Sequence, residues 1–314
     1  MGFYILSYLC IFVFLFAVGR LVYRQIYLPT HVRWEIYPVQ HETAAKAVYG
    51  GSYLEELNWW EKKEDRSYLN ELKYMVPEII FLRGVWKENK PLWWLTYSFH
   101  AGLYLMLITF GLLVLHAVLL LWLPSIYIEG SSGRFFLGGL IAASAWIGLV
   151  VGTIGSLALI NKRVADQQWR NYSSFSDYFN LGFILLFFLS ALVTAFVSDP
   201  WLQGAKAYTY GLLTGGQSLY AYNPPQSISG ALTIITASLL IAYIPWTHMS
   251  HMFMKYFLYH QVKWDDAPNL RGGKIEAAIR ENLELKPTWQ AKHVEADGQK
   301  SWKDIASSTP KEAK

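Results

Sequence analysis

The chain has 314 residues and a net charge of +4, with 53% hydrophobic, 17% aromatic and only 16% charged residues. So few charges are unusual for a water-soluble domain of this size, and a mild positive balance spread over several loops is no footprint for nucleic acid. The single cysteine, Cys10, excludes a disulfide framework, an iron–sulfur cluster held by this chain alone and the Cys-x-x-Cys-His attachment of a c-type haem.

Five apolar segments are long enough to cross a bilayer, whose hydrocarbon core of about 30 Å takes about 20 helical residues. They are 3–23, 93–123, 136–160, 178–198 and 229–257, the second and fifth long enough to tilt or project. The first begins Met-Gly-Phe-Tyr-Ile with no cation ahead of it, while Arg20 and Arg24 follow. That polarity is opposite to a cleavable signal and predicts a retained anchor. The region 24–92 carries ten Lys and Arg, the aromatics Trp34, Tyr37, Tyr53, Trp59 and Trp60, and a Gly50-Gly51 turn. It is expected to dock on the bundle or on a partner, and Pro77 to Trp86 is predicted as a short interfacial helix ahead of Trp93 and Trp94.

The connection 124–135 has only Arg134, the turn after the third span has Lys162, Arg163 and Arg170, and 199–228 has only Lys206. In the third span Gly148, Gly152 and Gly155 recur at helical spacing and predict close helix packing. The tail is Lys-rich and polar, with one expected helix from Lys274 to Leu285 and then a flexible end. Cations concentrate on one side of the five spans, which by the positive-inside rule places the N-terminus outside and the C-terminus in the cytoplasm. The expected architecture is an all-α integral membrane protein, a five-helix bundle. Its parts are a first span 1–23, a cytoplasmic aromatic loop 24–92, four spans within 93–257 and a cytoplasmic tail 258–314.

Ionisable side chains are costly in hydrocarbon and mark function there. His100 lies about two turns into the second span, and His251 one to two turns before the end of the antiparallel fifth, with His248 nearly a turn deeper. The imidazoles reach similar depth near the cytoplasmic face, an arrangement suited to the two axial positions of a haem iron. Three residues on a helix subtend about 300°, so His248 and His251 share a face and either can serve. The competing reading is that each His bonds a polar neighbour or lines a quinone or water cavity. His116, about 160° around the helix from His100, has no histidine at its depth to pair with, and a structural or outer-site role is expected. His31, His41, His260 and His293 fall outside the spans and read as surface or interface residues. Pro245 is placed to kink the fifth helix. Of the cations on the cytoplasmic side (Arg83, Lys90, Lys162, Arg163, Lys255), Arg163 and Lys255 are taken as candidates for haem propionates. No zinc, phosphate-loop or Ser/His/Asp pattern is present.

These residues resemble the membrane cytochrome b (gamma) subunit of respiratory nitrate reductase. The family's Phe-His-x-Gly-like stretch in the second span reads here Ser98-Phe99-His100-Ala101-Gly102. Its Pro-Phe-Ser-Arg-Leu-Val-His-like stretch in the fifth reads Pro245-Trp246-Thr247-His248-Met249-Ser250-His251. The resemblance implies a cytoplasmic-side haem b on His100 and His251, with His248 where the family has Arg. The family's outer-haem ligands fall on Phe110 and Thr233 here, which implies one haem, a second needing a partner for His116. The loop segments His31-Val32-Arg33-Trp34-Glu35-Ile36-Tyr37-Pro38 and Gly50-Gly51-Ser52-Tyr53 are more similar to cytochrome subunits of heterodisulfide-reductase-like complexes, including sulfite-reduction-associated and cytochrome-c3-linked transmembrane complexes. The resemblance covers roughly 1–260.

It implies an electron-transfer subunit in a prokaryotic cytoplasmic membrane, linking a quinone, menaquinone by resemblance, to a cytoplasmic iron–sulfur partner, with periplasmic cytochrome c subunits as further partners. His248, Asp166 and Glu78 are the candidate proton groups. The rival expectations are a haem-free membrane anchor and a proton or ion transporter using the intramembrane histidines.

Overall fold

The computed structural model describes residues 1–27, 57–58, 67–217, 224–258, 270–291 and 294–308. Among them there is no β-strand, only an isolated bridge between Ala291 and Ala296. Five helices are long and apolar enough to cross a membrane. They are α1 (Gly2–Tyr27), α4 (Lys90–Trp122), α5 (Ser132–Ala165), α7 (Phe175–Val197) and α9 (Ile228–Tyr243), the last continuing through a 3-10 turn to Trp246. Shorter helices are α2 (Tyr68–Phe81), α3 (Arg83–Glu88), α6 (Gln167–Asn171), α8 (Gln203–Thr214), α10 (His251–Leu258), α11 (Lys274–Leu283) and α12 (Trp302–Ser307). The chain divides into two compact units, one of residues 1–18 and 78–250 and one of 19–77 and 251–314.

Local chemistry starts and stops the helices of the first unit. The Asn89 side chain accepts from Leu92 N at 3.1 Å with Pro91 in the first turn of α4, and the Ser227 hydroxyl accepts from Gly230 N at 3.0 Å to open α9. The Asp177 carboxylate reaches back to Ser174 N at 2.9 Å at the start of α7. Lys162 and Arg163 close α5, where cations complement the dipole, and Asp166 both bonds Lys162 at 2.6 Å and accepts from Gln168 N at 2.9 Å to open α6.

Helices α4 and α5 meet backbone to backbone. A Cβ at Gly102 would lie 2.3 Å from Gly152 Cα, and one at Gly155 would lie 2.3 Å from Phe99 N. Small residues permit this approach, and dispersion between the backbones is what they gain. Farther along, the Thr109 hydroxyl bonds Ser144 Oγ at 2.9 Å across the same seam. Phe188 of α7, fully buried, fills the hollow over Gly152 and centres a core with Phe99, Leu149, Leu181 and Ile184. Helices α7 and α9 join through paired hydroxyls, Ser190 with Thr236 at 3.3 Å and Thr194 with Thr233 at 3.2 Å. The start of α1 packs on α8 and α9: Tyr4 stacks on Tyr208 at 4.8 Å, and Ser7 Oγ bonds Ser238 Oγ at 2.7 Å.

The first four spans match their sequence-based bounds to within a few residues. The fifth does not. Its α-helix ends at Tyr243, and two 3-10 turns, Ile244–Trp246 and His248–Ser250, precede α10. Pro245 lacks an N–H and its ring opposes the carbonyl one turn back, so the ladder cannot pass through it. The interfacial helix expected at 77–86 is instead α2 and α3, separated by Leu82 in the left-handed region at φ 51°.

In the second unit, α11 matches its expected span within two residues. The described part of the segment beyond it, expected to be flexible, carries defined contacts: Trp302 N bonds the Leu285 carbonyl at 3.0 Å, Trp289 and Trp302 meet edge to face at 5.6 Å, and Asp304 accepts from Ser301 N at 3.0 Å to cap α12. Two aromatic rings and a capping box supply what a polar composition concealed.

Replacing Gly155 by Ala should destabilise the bundle by about 1–3 kcal/mol, the range for overpacking a filled core. Gly139→Ala, where a Cβ meets nothing within 4 Å, should leave stability unchanged or slightly raised. Thermal unfolding of the two variants in detergent measures the contrast, and equal effects would refute the close-approach account.

Candidate functional site

His100 is set by α4. Its Nδ1 lies 2.8 Å from the carbonyl oxygen of Thr96, one turn earlier. A carbonyl only accepts, so Nδ1 carries the proton and Nε2 carries the lone pair. The half-buried ring is bounded by Phe99, edge to face at 5.4 Å, and by Tyr104 at 6.2 Å. The Tyr104 hydroxyl donates to the Ile79 carbonyl at 2.6 Å, which ties this stretch of α4 to the end of α2. An imidazole with its far nitrogen bonded to a backbone carbonyl and its near nitrogen basic is the form that ligates metals.

His248 lies in the second 3-10 turn and is exposed. Its neighbour is Asn180, a buried amide in the second turn of α7. The Tyr243 hydroxyl donates to Asn180 Oδ1 at 2.8 Å, which turns the amide nitrogen toward His248 Nδ1 at 3.4 Å. Nδ1 is then the acceptor, and the ring proton sits on Nε2. The network extends to Asp177, which feels both His248 and Arg163; the Arg163 guanidinium is 3.7 Å from Asp177 Oδ1, donates to Ser173 Oγ at 2.8 Å and lies over the Trp169 ring at 5.5 Å.

Arg163 and His248 are therefore brought into one polar network. Phe99, next to His100, and Met249, next to His248, belong to one apolar core. His251 and Lys255 belong to the second unit, on successive turns of α10; His251 is exposed, Lys255 half-buried, and Met254 between them buried. Thus the equivalence of His248 and His251 expected from one continuous helix is lost: they stand on separate elements, either side of the boundary between the units.

Of the proton-group candidates, Asp166 is held below the ordinary carboxylate range by the Lys162 ammonium and by the amides of Trp169 and Gln168. It lines an open cleft of about 460 Å³ together with Leu95, Ala158, Asn161 and Lys162. The Glu78 carboxylate accepts from Gly84 N at 2.9 Å. Lys90 lies over the Trp86 ring at 5.1 Å. At the other end of α4, His116 is buried against Tyr127. Phe110 is half exposed, and Thr233 is engaged with Thr194 and with its own Ser229 carbonyl. His31, His41, His260 and His293, and the aromatic cluster with Trp34, Tyr37, Tyr53, Trp59 and Trp60, lie outside the described residues.

Sequence reasoning missed Asn180 and Tyr243. Asn180 carried the same signal that singled out the histidines, a polar group in an apolar run; Tyr243 had none, because an aromatic at a span end reads as interfacial.

The fold thus defines an all-α protein with five helices of membrane-spanning length and composition. No family model, no curated protein and no solved structure matches the chain.

Asn180→Leu should cost about 1–3 kcal/mol, because it strands the Tyr243 hydroxyl. Combined with Tyr243→Phe it should cost less than the sum of the single changes. A double-mutant cycle on thermal unfolding reads the coupling, and strict additivity would mean that the two do not interact.

Proposed function

We propose that the chain is a membrane cytochrome b subunit of a quinone-linked redox complex in a prokaryotic cytoplasmic membrane, with its N-terminus outside and its C-terminus in the cytoplasm. The observation that carries this reading is the tautomer of His100: Nδ1–H donates to the Thr96 carbonyl, which puts the lone pair of a half-buried imidazole in an apolar helix on Nε2. That is the donor chemistry a haem iron requires from an axial histidine.

His251 is the second ligand in this proposal. The Asn180 contact supports that choice over His248, whose Nε2 keeps its proton and acts as a hydrogen-bond donor beside the cofactor. In this proposal Arg163 and Lys255 would hold the propionates, and a guanidinium bonded to Ser173 and close to Asp177 and Trp169 suits a carboxylate partner. A b haem bound there supplies a one-electron relay between the quinone, menaquinone by resemblance, and a cytoplasmic iron–sulfur subunit of heterodisulfide-reductase type, with cytochrome c subunits as further partners. Oxidising a quinol also releases two protons. Asp166, stabilised as a carboxylate by Lys162, is a weak base for them, and His248 can take one only by giving up the Asn180 contact at Nδ1.

The test is a dithionite-reduced-minus-oxidised spectrum with haem stoichiometry on the purified protein. One b-type haem per chain is expected, lost in His100→Ala and His251→Ala and kept in His248→Gln. No haem in a folded preparation made with full haem supply would overturn the cytochrome reading in favour of a membrane anchor or a transporter. Loss of haem in His248→Gln with retention in His251→Ala would reverse the ligand assignment.

A further inference from the structure

Four residues of α4, Trp93, Tyr97, His100 and Tyr104, follow one another at steps of four, three and four. At about 100° per residue they fall within about 60° of one another and form one face of the helix. Three of them meet the last turn of α2, residues 78–81, which belongs to the first unit with α4. Trp93 Nε1 donates to the Phe81 carbonyl at 2.7 Å, the Tyr97 ring stacks with the Phe81 ring at 6.5 Å, and the Tyr104 hydroxyl donates to the Ile79 carbonyl at 2.6 Å. His100 is the fourth, set between Tyr97 and Tyr104, with the Tyr104 ring 6.2 Å away.

These bonds do more than hold two helices side by side. The last four carbonyls of a helix find no partner within it, and Ile79 and Phe81 carry two of them in α2. Helix α4 supplies both donors, one on each side of His100 along the chain. The backbone then turns away at once. Leu82 is left-handed at φ 51°, and the Glu78 carboxylate accepts from Gly84 N at 2.9 Å, which fixes the corner into α3. Beyond the corner Trp86 meets Trp93 edge to face at 4.8 Å, and Trp93 stacks on Tyr97 at 4.5 Å with the rings 7° from parallel. The corner is therefore bonded to α4 on both flanks of the imidazole, on the face that carries it.

We propose that the last turn of α2 is one wall of the His100 site, that Trp93 and Tyr104 are the residues that position it, and that it keeps water from this side of the imidazole. The proposal rests on the haem reading given above. The shell around a metal ligand sets solvent access and local dielectric, and through them the redox potential. With the Ile79 and Phe81 carbonyls bonded to α4, the turn needs no water at this place. Water admitted there would favour the more charged ferric state and lower the potential. The Thr96 carbonyl would still hold Nδ1, so the effect would come through the wall and not through the tautomer.

The test uses the full-length, haem-loaded protein in detergent. Tyr104→Phe deletes one hydroxyl and keeps the ring beside His100; Trp93→Phe deletes one N–H and keeps an aromatic ring beside Tyr97. Each variant should hold the wild-type amount of haem at a lower midpoint potential. Each should also be cut several-fold faster by trypsin after Arg83, because the corner opens more often. Two small deletions on opposite flanks of His100 keep the test decisive if one variant fails to fold. Loss of haem from a variant whose thermal unfolding stays near that of the wild type would also support an opened wall. An unchanged potential in the haem-loaded variants would overturn the proposal even with faster cleavage, since α2 would then only pack on α4. Unchanged cleavage after Arg83 would overturn the positioning role. Haem missing from the wild type would refute the underlying reading and this one with it, and is told apart because it is seen before any substitution is made.

Discussion

The contact on which the rest of the described bundle depends is the backbone seam between α4 and α5. With no Cβ at Gly102, Gly152 or Gly155, the two longest helices approach until main-chain atoms touch. A seam this tight permits little rotation of one helix on the other, because any turn would drive Leu105 or Phe99 into backbone. It therefore fixes which residues of α4 face inward. Phe99, Gly102, Thr109, Leu113 and His116 are buried on it, and His100 is not. Two histidines on one helix thus meet different environments for a purely geometric reason: sixteen residues is about 160° of rotation, so a face that buries one presents the other elsewhere.

The two environments call for different chemistry. Around His100 and His248 the polar groups are chained, each donor with an acceptor: Thr96 to His100, Tyr243 to Asn180 to His248, Ser173 to Arg163. Such a network fixes tautomers, and a fixed tautomer decides whether an imidazole binds a cation or donates a proton. Around His116 the polar groups are buried, and Nε2 has no hydrogen-bond partner among the described residues. A satisfied network positions side chains, whereas an unmatched buried atom carries a desolvation cost.

Much of the fold was legible in the sequence because a long apolar run is a strong signal. The five long apolar helices and the close-packed glycines of the third follow from composition and spacing. The less legible elements share a property: their stability comes from tertiary contact rather than from pattern. Helix α8, Gly-Ala-Tyr-Thr in character, has no apolar stripe, and its first amides are capped not by Leu202, which opens it at φ 55°, but by the Asp199 carboxylate, while Tyr4 and Ser7 pack on Tyr208. Lys206 was accordingly counted as a loop charge when it is a buried one. The tail beyond α11 looked like solvated chain because its ordering rests on one pair of tryptophans.

The break at Pro245 shows how far a periodicity argument extends. Rotating by 100° per residue places His248 and His251 on one face only while the helix is unbroken. Here Pro245 removes a donor, Thr247 turns extended at φ −119° and ψ 174°, and the Thr247 hydroxyl accepts from Met249 N at 3.1 Å to begin the next turn. Each histidine is then set by its own local partners instead of by a common axis. His248 is held toward Asn180 at the end of the first unit, while His251 opens α10 in the second. A proline three residues before a histidine in a span is therefore more informative than the histidine spacing that follows it, because it determines whether that spacing has any meaning.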